Sequence, residues 1–104
     1  MKNGMRPVHP GEILREDYLQ PLGMSVNALA KALHVTPSRM NDSVLERRSV
    51  TLDTALRLAR YFGGDAQSWL NLQQAYDLKM AEQSLMKTIM QTVMPYKPSP
   101  LAIS

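Results

Sequence analysis

The sequence predicts an all-α domain of five helices, and three observations predict it. Helix-start signals recur along the chain: Pro10, Ser25, Thr36 followed by Pro37, Thr51, and Asp65. Apolar residues after each signal return at helical rather than alternating spacing, and no alternating run long enough for a strand occurs. Residues 66–94 contain neither glycine nor proline.

The 104 residues suffice for one domain with one modest core, and 44% hydrophobic residues is an ordinary globular proportion. There is no cysteine, which excludes a disulfide scaffold and a thiolate metal site. No apolar run approaches the roughly 20 residues of a membrane span, and Met1–Pro10 lacks the apolar stretch of a secretory signal, so the cytoplasm is the default location. The net charge of +3 is mildly basic. It permits nucleic-acid binding without requiring it. Arg39, Arg47, Arg48, Arg57 and Arg60 crowd the segment from Thr36 to Arg60, opposed by Asp42, Glu46 and Asp53.

The first helix starts at Pro10, because proline suits a first-turn position whose N–H would have no partner. Ile13, Leu14 and Tyr18 share its apolar face, and Pro21 and Gly23 close it. Ser25 caps a second helix of about two turns that buries Leu29, Ala30 and Leu33. A helix that short needs packing to persist. His34 and Val35 form the link to the Thr36–Pro37 start of a third helix ending near Leu45. Thr51 caps a fourth, with Leu52, Ala55, Leu56, Ala59 and Phe62 at helical spacing, and Gly63 and Gly64 end it. Asp65 caps the fifth, where Trp69, Leu72 and Tyr76 are followed by Leu78, Leu85, Ile89 and Val93, with Met86, Met90 and Met94 alongside. This reads as one long helix or as two with a break near Ser84. Pro95, Pro98 and Pro100 prevent its continuation.

The resulting division is a flexible arm over residues 1–8, a domain over 9–78, a helical extension over 79–94 and a flexible tail over 95–104. Within the domain, residues 25–44 form two short helices joined by a tight turn, the pattern of a helix-turn-helix. In that motif the second helix enters the DNA major groove. Ala30 is small where the helices cross, Val35 plugs the junction, and Met40 and Val44 are spaced to be buried. Ser38, Arg39, Asn41 and Asp42 then face outward with groups able to bond base edges. Thr36, Pro37 and Ser38, at the helix start, offer free N–H groups to a phosphate. Arg47 and Arg48 follow the helix, where they suit the DNA backbone. As an isolated pattern, the same pair of helices also fits an ordinary bundle.

Other chemistry finds no support. His9 and His34 flank different helices, and no carboxylate joins them at metal spacing, so neither a metal nor another cofactor is expected. Ser38 and Ser43 have no adjacent base, so no catalytic residue and no enzyme is expected. Trp69, Leu72 and Tyr76 read as core, and Leu85 and Ile89 as core or dimer contact. The methionine stripe reads as packing within a dimer, with a partner groove as the alternative.

Five segments carry a more specific resemblance: HPGEIL at His9–Leu14, LQPLG at Leu19–Gly23, RRSVT at Arg47–Thr51, DTALRLARYFG at Asp53–Gly63 and WLNLQQAYDL at Trp69–Leu78. Their order and spacing resemble those of the HigA antitoxins, or VapI group, of the XRE (lambda-repressor-like) helix-turn-helix class, over residues 6 to about 80. The resemblance implies a five-helix lambda-repressor-like core, a homodimer, a palindromic double-stranded DNA operator, and a RelE-like ribonuclease toxin of the HigB type as partner. It implies a repressor that autoregulates its operon and neutralises that toxin. The alternatives are an orphan regulator without a toxin, or a toxin-binding protein with weakened DNA reading. Four departures bear on that choice. His34 stands where the wider class often has glycine, Ser43 where the family has a large apolar residue, Glu46 where many members have glycine, and Val26 where a polar residue is common. Ser43 is expected to point inward and to leave its hydroxyl in need of a partner.

Overall fold

The computed structural model describes residues 6–97, and among them every regular element is helical. We number the helices α1 (residues 10–22), α2 (Val26–Leu33), α3 (Pro37–Val44), α4 (Leu52–Phe62) and α5 (Ala66–Thr92). The capping signals act as expected at Ser25, Thr36, Thr51 and Asp65, whose side-chain oxygens accept from the backbone N–H three residues on. The α1 cap is His9, whose Nδ1 accepts from the Gly11 N–H at 2.9 Å.

Helix α1 closes at Gly23, as expected, but it runs through Pro21 instead of ending there. The helix widens to a π-helical turn over Leu14–Leu19, where the Gln20 N–H reaches back five residues to the Arg15 carbonyl. Pro21 lies in the final turn, Gln20–Leu22. The wider turn gives the proline ring room beside the carbonyl four residues earlier, so the helix continues to a left-handed Gly23.

The core gathers side chains from every helix: Leu14 and Leu19 from α1, Leu29, Ala30 and Leu33 from α2, Met40 and Val44 from α3, Ala55 and Leu58 from α4, and Trp69 from α5. Tyr18 packs its ring on Phe62 at 4.7 Å and on Trp69 at 5.4 Å. Two backbone positions set the crossing of α1 and α3. A Cβ at Gly11 would sit 2.0 Å from the Ser43 carbonyl oxygen, so only glycine allows this approach. Ser43 is wholly buried there, and its hydroxyl has no hydrogen-bond partner.

Gln73 ties α5 to the loop before α4 by accepting from the Val50 N–H at 2.8 Å. Beyond Tyr76 the fifth helix leaves the core as an exposed shaft. It continues without a break at Ser84, whose hydroxyl bonds the Met80 carbonyl one turn back. The helix ends at Thr92, and residues 93–97 are non-helical. The rest of the expected tail, residues 98–104, lies outside the described residues, as do residues 1–5 of the expected arm. Arg6, in that arm, makes paired 2.9 Å bonds to the two carboxylate oxygens of Glu12, and Pro7 and Val8 are half-buried. Glu12 is buried, and the charge of its carboxylate draws Arg6 onto the domain.

Ser43→Ala is expected to raise stability by about 1 kcal/mol, because it removes a buried hydroxyl that bonds nothing. Urea denaturation at constant m-value checks this, and a lower midpoint contradicts it.

Candidate nucleic-acid interface

Helices α2 and α3 meet through a three-residue turn whose geometry follows from its residues. His34 adopts a left-handed conformation at φ 58°, Val35 is half-buried against the core, and its N–H bonds the Ala30 carbonyl at 3.0 Å. Histidine tolerates that backbone better than most residues, so the turn survives without glycine.

With Met40, Ser43 and Val44 buried, the helical repeat turns Ser38, Asn41, Asp42 and Leu45 to the opposite side of α3. Ser38 and Asn41 are exposed, as are Thr36 and Pro37 at the helix start. The supply of free N–H groups is smaller than expected. Proline has none, and the Thr36 hydroxyl accepts the Arg39 N–H at 3.2 Å, so of residues 37–39 only Ser38 keeps an N–H outside these bonds. Leu45, 47% exposed, is an apolar member of this face that sequence reasoning missed. Its position at the helix end, four residues after Asn41, is the signal that could have revealed it.

Arg39 is placed differently from Ser38 and Asn41. Its guanidinium turns to the start of α4, where it donates to Asp53 at 2.5 Å and to Thr54 Oγ1 at 2.7 Å. Arg57 donates to the same Asp53 carboxylate at 2.9 Å and to the Leu33 carbonyl at 2.8 Å. Asp53 thus joins α3 to a residue that caps the end of α2. Hydrogen bonds from Arg57 and then Arg39 hold its carboxyl below the usual aspartate range. Arg57 is therefore a connector between the two helices of the motif.

Asp42 is half-buried and lies 3.3 Å from the Arg47 guanidinium and 4.0 Å from that of Arg48. Both arginines are exposed on the turn after α3. Glu46 stands in a left-handed conformation at φ 67°, which accounts for a glycine preference at this position. Its carboxylate pairs with Arg15 at 3.2 Å, and the same arginine caps the end of α3 by donating to the Val44 carbonyl at 2.6 Å. The Glu46 charge is thus countered within the protein. Val26 packs on the core. Among the described residues no group of three metal-ligating side chains occurs, and no helix is long and apolar enough to cross a membrane.

The remaining expected site residues lie away from α3. Trp69 is buried and Leu72 packs on the core. Tyr76 sets its ring edge-on to His9 at 4.8 Å. Leu85 and Ile89 sit on the exposed shaft of α5.

The fold recurs in known proteins. The chain is 73% identical over 82 residues to virulence-associated protein I of Dichelobacter nodosus, a match spanning 79% of this chain and 76% of the relative. The chain belongs to the HigA/VapI-type antitoxin family of helix-turn-helix proteins. A HigA-family addiction module antidote protein from Coxiella burnetii has the same fold, with a TM-score of 0.82 and 49% identity, covering 88% of this chain and 99% of that one. The Pseudomonas aeruginosa antitoxin HigA, solved with the higBA promoter, aligns with a TM-score of 0.86 and 44% identity over 88% of this chain and 100% of that one. No family model matches the chain. Relatives in this family are antitoxins and transcription regulators, not enzymes.

The His9 cap makes the stability of this fold sensitive to acid. Burial pushes the imidazole pKa below its usual 6.5, more strongly than Glu46 and Asp77 raise it, and Nδ1 must stay unprotonated to accept from Gly11. A folded pKa below the unfolded value means that the unfolded chain binds the proton first. Stability is therefore complete above about pH 6.5 and falls as pH drops through and below that value. His9→Asn, whose side-chain oxygen can accept the same N–H, is expected to flatten this slope. Thermal melting between about pH 7.5 and 5 checks it, and an unchanged slope contradicts it.

Proposed function

We propose that the protein is an operator-binding repressor and the antitoxin of a HigBA-type pair, acting as a symmetric dimer that sets one α3 in each of two successive major grooves about 34 Å apart. The observation that carries this reading is the exposed face of α3, with Ser38 and Asn41 projecting from it and Arg47 and Arg48 beside it, on a fold shared with a HigA solved together with promoter DNA. In this reading Thr36, Pro37 and Ser38 approach a phosphate, Ser38, Asn41 and Asp42 meet base edges, and Arg47 and Arg48 meet the backbone. Arg39 mainly orients α3 from its seat on Asp53. The palindromic operator, repression of its own operon and neutralisation of a RelE-like toxin of the HigB type complete the proposal. A toxin reading frame beside the gene favours it over an orphan regulator.

Binding to duplex DNA from upstream of its own gene, measured at two salt concentrations, tests the reading. Tight binding that weakens with salt is expected. Asn41→Ala is expected to cost about 1–3 kcal/mol on that duplex and to relax base preference at one position. Arg47→Ala with Arg48→Ala is expected to weaken binding to that duplex and to reduce the salt slope by about one for each phosphate that the variant no longer neutralises. No binding at low salt contradicts the reading.

The dimer contact we assign to the α5 shaft. Leu78, Ala81, Leu85 and Ile89 form a stripe at three- and four-residue steps, the seam spacing of paired helices. Leu85 is 53% and Ile89 41% exposed on the single chain, and the 27-residue helix, about 40 Å long, extends too far for the core to cover. Leu85→Asp combined with Ile89→Asp is expected to yield monomers that retain helical content, by light scattering and circular dichroism. A dimer that persists contradicts the assignment.

A further inference from the structure

Resting on the DNA-binding reading, we propose that Asp42 is a selectivity gate: its carboxylate restrains Arg47 and Arg48 from indiscriminate backbone binding and releases them where the groove offers it an exocyclic amino group, cytosine N4 by preference. The placement is unusual for an acid. Asp42 lies one helical turn after Ser38, near the middle of the face opposite buried Met40, Ser43 and Val44. A carboxylate there meets the phosphate-rich walls of any groove that admits α3, and it repels them whatever the sequence. The same carboxylate spans the two arginines best placed to attract phosphate, with one oxygen toward Arg47 and the other toward Arg48.

The two roles act in one direction. Where the docked register sets no cytosine opposite it, Asp42 competes with phosphate for both guanidinium groups and finds no donor of its own, so backbone affinity is held down. Opposite a cytosine, the N4 amino group donates to the carboxylate, as this pairing does in major-groove readout. The acid then has a partner, and both arginines can turn to phosphates. These surface pairs are weak as stabilising contacts, so the arginines exchange partners readily.

The test measures dissociation constants by fluorescence anisotropy for the upstream duplex and for a scrambled duplex of equal length, at low and moderate salt. Wild type is compared with Asp42→Asn, Asp42→Glu, and Asp42→Asn in an Arg47→Ala, Arg48→Ala background. Asp42→Asn is expected to bind the scrambled duplex about 10-fold more tightly, with a steeper salt dependence, and to lose about 10-fold or more of the operator-to-scrambled ratio. Asp42→Glu, which keeps the charge, is expected to retain most of that ratio. Without the two arginines, the gain on scrambled DNA is expected to shrink to less than half. An Asp42→Asn ratio equal to wild type, with operator binding intact, overturns the gate and leaves the DNA-binding reading standing. Failure of wild type to bind the upstream duplex at low salt overturns both.

Discussion

The placement of α3 depends on one close backbone approach, Gly11 against the carbonyl of Ser43. Any side chain at Gly11 would collide with backbone rather than with a flexible side chain, so the contact cannot be relieved by local repacking. It presses the start of α1 onto the last turn of α3 and drives Ser43 into the interior without a hydrogen bond. It also brings Arg15 within reach of the Val44 carbonyl and of Glu46. With that side of α3 committed inward, the helical repeat leaves Ser38, Asn41 and Asp42 outward. The chemistry available to DNA follows from a steric requirement on the far side of the helix.

A second set of contacts fixes the helix along its other edge. The Asp53 carboxylate receives both Arg39 and Arg57, and Arg57 continues to the end of α2. These are exposed or half-exposed pairs, and each contributes little to global stability. Their geometric consequence is larger, because they fix the angle between the two helices of the motif and occupy the one arginine of α3. The exposed arginines after α3, Arg47 and Arg48, are those held by Asp42.

Most of the fold was legible in the sequence because its signals are local. Ser25, Thr36, Thr51 and Asp65 each bond a backbone N–H three residues away, and the buried stripes of α2 and α3 follow from spacing alone. The inward turn of Ser43 was legible for the same reason, whereas the left-handed His34 was suggested only by the glycine that the resemblance puts at its place. The less legible features depend on contacts distant in sequence or on backbone detail. The continuation of α1 through Pro21 needs a π-helical turn that no residue pattern announces. The attachment of Arg6 needs a buried carboxylate at Glu12. The turning of Arg39 away from Ser38 and Asn41 needs Asp53 and Thr54, 14 and 15 residues further on. The role of Gly11 was hidden because glycine in a first helical turn looks neutral until the opposing backbone is in place. Segment resemblance supplied the family, and spacing supplied the motif. Neither showed which arginines were already engaged.

The most direct measurement is amide chemical-shift mapping of the full-length protein titrated with operator duplex. The largest changes are expected on Thr36, on residues 38–42 and on Arg47 and Arg48, with smaller ones at Asp53 and Arg57 and little at the outer face of α4 around Leu56 and Tyr61. Changes concentrated on that α4 face or on the α5 shaft, with α3 unmoved, would contradict it.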